Sequence, residues 1–344
     1  MLPEHTFSTT VGDKELIFKT GKLAEQAGGA VVAQMGDSVV LATATMSKHI
    51  REGLDFFPLS VDFEEKMYAA GRIPGGFFKR EGRPTTEAIL TSRLTDRPLR
   101  PLFPDGMRNE VQIIMTTLSS DSIHHLDILA LNAASAALHI SDAPWDGPIG
   151  AVRVAYIDGE LVAAPTIPQM ADSTLDLRLA GTKDAIIMVE AGANEVDEAL
   201  LVEALAFGHE AIQPIIATIE EMRDAVGKPK RDVDFAVEDE ELAAAVRERL
   251  GNRLPEIVAQ FTDREERNAA VDLLRVEIVD GFLAEDEFAD VKSIRGVISG
   301  DLKKAIRSQI LYEGVRPDGR DYTSISDLSS EVGISPRAHG SGLF

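Results

Sequence analysis

Eight basic and four acidic side chains occupy the stretch from Gly71 to Arg108. This stretch has a net charge of +4, whereas the whole chain has a net charge of −22. The sign reversal indicates a local surface for anions, because salt screens the distant acidic residues beyond about 8 Å. The basic residues are Arg72, Lys79, Arg80, Arg83, Arg93, Arg97, Arg100 and Arg108.

A phenylalanine doublet follows the Pro-Gly-Gly loop at residues 74–76. Adjacent side chains of an extended segment point in opposite directions, so one of Phe77 and Phe78 is expected to point away from any core. An exposed ring stacks on a base of any identity for about 1–3 kcal/mol. The cations Lys79 and Arg80, which come next, suit phosphates. The pattern favours a loop that binds single-stranded nucleic acid; the alternative is that both rings are buried beneath the loop.

A helix is predicted after Pro84, with Thr85 or Thr86 as its N-cap. Pro98 cannot continue a helix in the usual way, so the helix is expected to end near Arg97.

Three arginines follow along this helix. Arg93 and Arg97 are four residues apart and share a face, and Arg100 is expected close to the same end. Guanidinium groups that converge there would suit phosphate oxygens, which they grip in pairs. The alternative is that the arginines pair with nearby carboxylates, which are those of Glu87, Asp96 and Asp105.

Composition limits the class of protein. A chain of 344 residues is expected to form two or more domains. It has no cysteine, which excludes disulfides and thiolate metal sites. The first residues lack a secretory signal pattern, and no run approaches the roughly 18 apolar residues of a membrane span. The sequence therefore predicts a cytoplasmic protein with no membrane partner.

The first part of the chain is predicted to be an α+β domain, because strand and helix patterns alternate up to about residue 222. An Asp158-Gly159 pair predicts a tight hairpin turn. Strands are predicted over residues 15–20, 30–34, 38–45, 59–63, 111–118, 151–157, 161–165, 174–180 and 186–190. Helices are predicted over residues 126–140 and 195–219, the second kinked at Pro214.

The remaining chain divides into two further parts. Gly227-Lys228-Pro229-Lys230 is predicted to be a linker, and apolar residues at helical spacing then predict an all-α domain. From residue 313 a segment rich in turn-forming residues begins, which is expected to start a new domain. Shifted by 312, Gly21 falls on Gly333 and Gly28 on Gly340, which suggests a second copy of the first domain. We predict domains at 1–225, 226–312 and 313–344, the last being a truncated start.

Two other places could carry chemistry. His124 and His125 are adjacent, but they point in different directions on a helix and lack a ligand partner at helical spacing beyond Asp127, so a metal site is disfavoured. Glu190 lies near a strand end, where a carboxylate can be catalytic. Because no acidic partner is visible, a structural role is favoured for it.

Several motifs resemble the polynucleotide phosphorylase family. AAGRIPGGFFKREGRP and RLTDRPLRPLFPDG carry the resemblance most strongly. It continues upstream in VDFEEKMYAAG (61–71) and downstream in GPIGAVRV (147–154), and covers nearly the whole chain. It also includes AGTKDAIIMVEAGANEVDEALLVEAL (180–205) and EGVRPDGRDYTSI (313–325).

The resemblance implies a fold and a substrate. The family has an RNase PH-like core, an all-α domain and a second RNase PH-like core, followed by KH and OB domains, and three chains form a ring. The implied activity is 3′→5′ phosphorolysis of single-stranded RNA by inorganic phosphate. RNA-degradation complex proteins are possible further partners. The implied RNA contacts are Phe77, Phe78, Lys79, Arg80, Arg83, Arg93, Arg97 and Arg100.

The implied catalytic residues, and the ligands of Mg²⁺ or Mn²⁺, would lie in the second core beyond Phe344. Two functions therefore stay open. The chain is either the N-terminal part of a phosphorolytic exoribonuclease or, on its own, a non-catalytic RNA-binding and assembly module. A lone RNase PH-type tRNA-trimming enzyme is disfavoured, because the all-α domain and the domain start at residue 313 do not belong to it.

Overall fold

A computed structural model describes residues 3–51, 54, 56–75, 81–235 and 239–344. The chain divides into two compact units, Met1–Ala236 and Val237–Phe344.

The first unit contains a six-stranded sheet. Its strands are β1 (His5–Val11), β2 (Lys14–Thr20), β3 (Gly29–Met35), β4 (Ser38–Met46), β5 (Leu59–Glu64) and β6 (Val111–Ser119). Their order across the sheet is β1-β2-β3-β4-β6-β5, and only the β5–β6 pairing in this sheet is parallel. Buried and half-buried residues alternate along β3 as far as Gln34 and along β4 as far as Ala44, because successive side chains of a strand point to opposite faces.

A four-stranded antiparallel sheet follows in the same unit. Its strands are β7 (Gly150–Ile157), β8 (Glu160–Ala163), β9 (Leu175–Gly181) and β10 (Ile186–Ala193), in the order β10-β9-β7-β8. The β7–β8 hairpin turns at Asp158 and Gly159, whose φ angles are +52° and +85°. Positive φ at both positions is the geometry that an Asp-Gly turn favours, so the predicted hairpin is confirmed.

Three helices pack on these sheets: α1 (Thr86–Leu99), α2 (Leu126–Ile140) and α3 (Glu198–Val226). α2 contacts β3, β4 and β6 of the first sheet and β7 of the second, and its residues from Leu129 to Ile140 are all buried. Its many alanines permit close approach. A side chain at Gly29 would place its Cβ 2.0 Å from the carbonyl oxygen of Ala137, so only glycine fits where β3 meets α2.

Both prolines predicted to disturb helices lie inside them. α1 extends past Pro98 to Leu99, two residues beyond the predicted end near Arg97, and continues as a 3₁₀ turn over Arg100–Leu102. Pro98 and Leu99 are buried, and this packing offsets the lost backbone hydrogen bond. α3 continues seven residues past the predicted end at 219, although it contains Pro214.

α3 meets the length and hydropathy criteria for a membrane span, which core helices also satisfy. Its buried residues lie on one side, and the helix packs on α2 and on β1, β7 and β9. In the first unit α3 is thus an amphipathic helix against the core.

The segment after α3, predicted as a linker, is bound to the first unit. The backbone N–H of Lys228 donates to the carbonyl of Ile140 at 2.9 Å. Arg231 forms an ion pair with Asp142 at 2.9 Å. The segment therefore runs back along the C-terminal end of α2.

The second unit has four α-helices in the described residues: α4 (Glu240–Leu250), α5 (Arg253–Gln260), α6 (Arg264–Glu285) and α7 (Val291–Ser308), and a π-helical turn over Gln309–Glu313 follows α7. Aspartates at 239, 263 and 290 cap α4, α6 and α7 through their side chains. Ala243, Val246, Leu274, Ile294 and Ile298 lie in its core. A short hairpin of β11 (Glu331–Val332) and β12 (Gly342–Leu343) ends the described chain.

Candidate nucleic-acid interface

The predicted binding loop lies partly outside the described residues. Phe77, Phe78, Lys79 and Arg80 are among the residues that the structure does not describe. Both sides of the loop are described. A 3₁₀ turn over Met67–Ala70 ends at Gly71 in the left-handed conformation, with φ of +66°.

The return side of this loop is attached to the same turn. The carboxylate of Glu81 accepts a hydrogen bond from the backbone N–H of Met67 at 2.6 Å, and the ammonium of Lys66 is 3.9 Å from it. Glu64 holds Lys66 at 3.0 Å. The ends of the loop that carries the phenylalanine doublet are thus held together at Met67 and Glu81.

Thr85 fixes the start of α1. Its hydroxyl accepts a hydrogen bond from the N–H of Ala88 at 3.0 Å and donates to the carboxylate of Glu65 at 2.6 Å. Of the two threonines predicted as N-cap, Thr85 is therefore the one that caps the helix. The cap places Arg83 directly outside the helix and Arg93 two turns into it.

Arg83 and Arg93 are both exposed. Within the part of the chain that the structure describes, neither forms an ion pair with a carboxylate. Ile89, which is one turn before Arg93, and the adjacent Leu90 are 47% and 56% exposed. The solvent face of α1 therefore combines an unneutralised cation with apolar surface, a composition that suits a phosphate backbone with stacked bases.

Arg97 and Arg100 have partners within the chain. Nη1 of Arg97 lies 3.3 Å from Oε2 of Glu190. Arg100 binds Asp96 through two hydrogen bonds of 3.0 and 2.7 Å, and also donates to the carbonyls of Phe57 and Leu59. Of the three carboxylates considered as alternative partners, Asp96 pairs with an arginine in this way. Arg100 thereby joins α1 to the start of β5.

An ion network behind Arg97 was not found from the sequence. Arg178 donates to Oε1 of Glu190 at 2.9 Å, and its Nε lies 3.3 Å from Asp127. Arg153 binds Asp176 through hydrogen bonds of 2.7 and 2.6 Å. The feature of the sequence that could have indicated this network is a set of charged residues within otherwise apolar strands. Arg153 and Arg178 pair directly across β7 and β9.

The two histidines considered for a metal have separate roles. Nδ1 of His124 lies 2.6 Å from Asp121, whereas Nδ1 of His125 lies 2.8 Å from Arg153. Burial, with Arg153 nearby, lowers the pKa of His125 to about 4. The described residues contain no group of three or more histidine or acidic side chains suited to a metal ion.

A second basic surface lies on α7. This helix carries five basic residues and one acidic residue, Asp301. Arg295, Lys303 and Arg307 are exposed, and none of them pairs with a carboxylate in the described part of the chain. Gly296 and Gly300 lie on the same exposed side, with no atom within 4 Å of a Cβ placed there.

Three family models match the chain. The 3′ exoribonuclease family, domain 1, matches residues 13–144, and domain 2 of the same family matches residues 147–211. The model described as polyribonucleotide nucleotidyltransferase, RNA binding domain, matches residues 241–321. The first two models lie in the first unit, and the third lies in the second unit.

Curated relatives agree with these matches. A polyribonucleotide nucleotidyltransferase of Heliobacterium modesticaldum is 50% identical over 98% of this chain and 47% of its own length. One from Roseiflexus castenholzii is 48% identical over 99% of this chain and 46% of its own length. The chain thus spans about half the length of these relatives. A crystal structure of rice Rrp46 covers 65% of this chain and 96% of its own, with 16% identity and a TM-score of 0.48. The chain belongs to the polyribonucleotide nucleotidyltransferase family.

Proposed function

We propose that this chain supplies a surface that guides single-stranded RNA within a phosphorolytic 3′→5′ exoribonuclease. The main observation in support of this proposal is the pair of exposed arginines, Arg83 and Arg93, which have no carboxylate partner in the described chain. Both follow the phenylalanine doublet in the sequence, Arg83 just before α1 and Arg93 within it. In a chain with a net charge of −22, unneutralised cations beside apolar surface favour a polyanion with stacking bases.

The proposed reaction of the whole protein is reversible. An oxygen of inorganic phosphate forms a bond to the 3′-terminal phosphodiester phosphorus, and the O3′ of the preceding nucleotide leaves, which releases a nucleoside diphosphate. Mg²⁺ or Mn²⁺ would neutralise charge in that reaction. As the family resemblance implies, we assign metal binding and catalysis to residues outside this chain, which spans about half the length of its relatives.

The first experiment measures RNA binding against salt. Fluorescence anisotropy of labelled oligo(A) across a KCl series should show that R83A and R93A each flatten the slope of log K against log salt by about 0.7. R264A, at the exposed start of α6, is the matched control and should keep the wild-type slope. An unchanged slope in both R83A and R93A would remove them from the RNA path.

A second experiment separates the two functions left open by the sequence. The chain is incubated with poly(A), phosphate and Mg²⁺, and ADP release is followed by chromatography. We expect RNA binding without ADP release. Sustained ADP release would show that these residues contain the catalytic site and would overturn the assignment of catalysis to residues outside the chain.

The second unit is proposed to contact RNA through α7. The matching family model is described as an RNA binding domain, and the exposed side of α7 is basic. Two interior glycines cost helix stability, about 1 kcal/mol each, and leave room for a backbone to approach. K303A should weaken RNA binding. K304A is the matched control, because Lys304 already pairs with Asp301 at 3.0 Å; equal losses in both variants would contradict a specific contact.

A homotrimeric ring, a cytoplasmic location and partners in RNA-degradation complexes are further proposals. They are supported by family membership. Sedimentation of the chain tests the ring: a trimer supports it, and a monomer at micromolar concentration shows that these residues do not suffice for assembly.

A further inference from the structure

Glu190 connects two arginines at the edge of the second sheet. Its Oε1 accepts a hydrogen bond from Arg178 at 2.9 Å, and its Oε2 lies 3.3 Å from Nη1 of Arg97. The three side chains are accessible to solvent, with exposed fractions of 42% for Glu190, 53% for Arg97 and 26% for Arg178. A carboxylate held between two accessible guanidinium groups occupies the position that an external anion would take.

The charges behind Glu190 make this position cationic without it. Arg153 and Arg178 face Asp127 and Asp176, at separations of 2.6 to 3.8 Å. These four charges balance each other. Arg97 then adds one positive charge, and Glu190 is the carboxylate that neutralises Arg97 among the described residues. If Glu190 moves away, the network has three guanidinium groups and two carboxylates.

Glu190 is also the most exposed of the three carboxylates in the network. It lies on β10, where its neighbours Val189 and Ala191 are exposed. Asp127 and Asp176 are 17% and 33% exposed, and Asp176 is fixed by two hydrogen bonds from Arg153. An exposed ion pair is weak, because water competes for both groups, so a phosphate group can displace Glu190 at small cost.

We propose that Arg97 and Arg178 form a phosphodiester-binding subsite, which the carboxylate of Glu190 occupies when RNA is absent. This inference rests on the proposed function, because it places Arg97 on the RNA path. Glu190 competes with each phosphate that reaches Arg97, so it lowers affinity and favours release. A surface along which RNA must slide repeatedly benefits from such weak binding, since tightly held phosphates would stop movement.

The test is a double-mutant cycle of E190Q and R97A, read by anisotropy of labelled oligo(A). E190Q keeps the side-chain shape but removes its charge, and we expect binding twofold to fivefold tighter, the range of an exposed ion pair. The salt slope should steepen by up to about 0.7, for one additional phosphate contact. In the R97A background, E190Q should have a smaller effect.

Controls separate the subsite from a general change of charge. E87Q removes one exposed negative charge from the first turn of α1 and should leave the affinity nearly unchanged. Equal tightening by E87Q and E190Q, or equal tightening by E190Q with and without Arg97, would overturn the subsite. Weaker RNA binding by a folded E190Q protein would also overturn it, because Glu190 would then have only a structural role.

Competition with inorganic phosphate tests whether the subsite binds RNA phosphodiesters or free phosphate. If the subsite takes RNA phosphodiesters, millimolar phosphate should displace oligo(A) no better from E190Q than from the wild type. Preferential displacement from E190Q would show instead a subsite for free phosphate, contradicting the RNA assignment. The salt slopes of R83A and R93A test the proposed function independently of Glu190. If these slopes flatten as expected but E190Q has the same effect with and without Arg97, the subsite alone is contradicted.

Discussion

Nζ of Lys230 lies 3.1 Å from the carbonyl oxygen of Leu138, at the C-terminal end of α2. The same ammonium reaches the carbonyls of His139 at 3.1 Å and Ser141 at 2.9 Å. Helix ends leave carbonyls without helical partners, and a cation there also complements the helix dipole. Burial, with Arg223 nearby, lowers the pKa of Lys230 to about 8, so the group is still largely protonated at pH 7.

The first prediction concerns this cap. K230M keeps a similar stem but removes all three hydrogen bonds, and we expect a loss of about 2 kcal/mol or more in the free energy of unfolding. Urea denaturation followed by circular dichroism measures it. The matched control is K228M in the same segment. Lys228 makes one side-chain bond, to the carbonyl of Ala27, and its loss should cost less than about 0.5 kcal/mol. Equal costs would contradict the cap.

Asn132 provides a second stability prediction. Its amide donates to the carbonyl of Ala151 at 3.0 Å and accepts from the N–H of the same residue at 2.8 Å, all within the core. N132A leaves both backbone groups buried and unpaired, which should cost about 2–5 kcal/mol in urea denaturation. N194A, at an exposed position, should change stability by less than about 0.5 kcal/mol. A similarly small effect of N132A would mean that water satisfies Ala151.

His139 predicts a pH dependence. Burial, with Arg223 and Lys230 nearby, lowers its pKa to about 3, whereas an unfolded histidine has a pKa near 6.5. Between these values the unfolded chain binds the proton and the folded protein does not, so stability falls as the pH falls from 6.5 towards 3. H139Q lacks this contribution.

The measurement compares urea denaturation of the wild type and H139Q from pH 7 to pH 4.5. Whatever H139Q costs at pH 7, that cost should shrink at lower pH, by up to about 1.4 kcal/mol per pH unit. H49Q, which replaces an exposed histidine, should follow the wild-type curve. Parallel curves for H139Q and the wild type would show that the pKa of His139 does not differ between the folded and unfolded states.

The phenylalanine doublet gives the fourth prediction. Replacing Phe77 and Phe78 by alanine should weaken oligo(A) binding by about 1–3 kcal/mol for each stack that is lost. F56A is the matched control, because Phe56 belongs to the chain's other doublet and is 59% exposed; it should leave binding unchanged. Unaltered affinity in F77A/F78A, with a wild-type melting temperature, would contradict the stacking role of the rings. Unaltered affinity with a lowered melting temperature would assign the rings to the interior.

The sequence predicted the elements whose signals are local. The helix over 126–140 and the Asp158-Gly159 turn are confirmed to the residue, because alanine-rich periodicity and turn chemistry act within a few positions. The N-cap at Thr85 is likewise encoded beside its helix. The helix end predicted near Pro98 falls two residues early, because burial of Pro98 and Leu99 against the core outweighs the local cost of proline. The helix α3 extends seven residues past its predicted end at 219.

The part of the site that the sequence did not predict depends on contacts between residues that are distant in the sequence. Arg97 and Glu190 are 93 residues apart, and they meet because α1 lies beside β10. Arg153 and Arg178 come together only through the register of β7 and β9. Such registers are set by tertiary packing, so charge patterns along the chain could identify these residues as unusual but could not join them.

The burial of α2 has a consequence for cooperativity. The two exoribonuclease models meet between residues 144 and 147, yet α2, which precedes that boundary, packs on strands from both sides of it. The hydroxyl of Ser135 exchanges hydrogen bonds with the backbone of Ile149 at 2.7 and 3.0 Å. Neither half can bury this helix by itself, so both should melt in one transition, and damage to β7 should also loosen α1, which packs on α2.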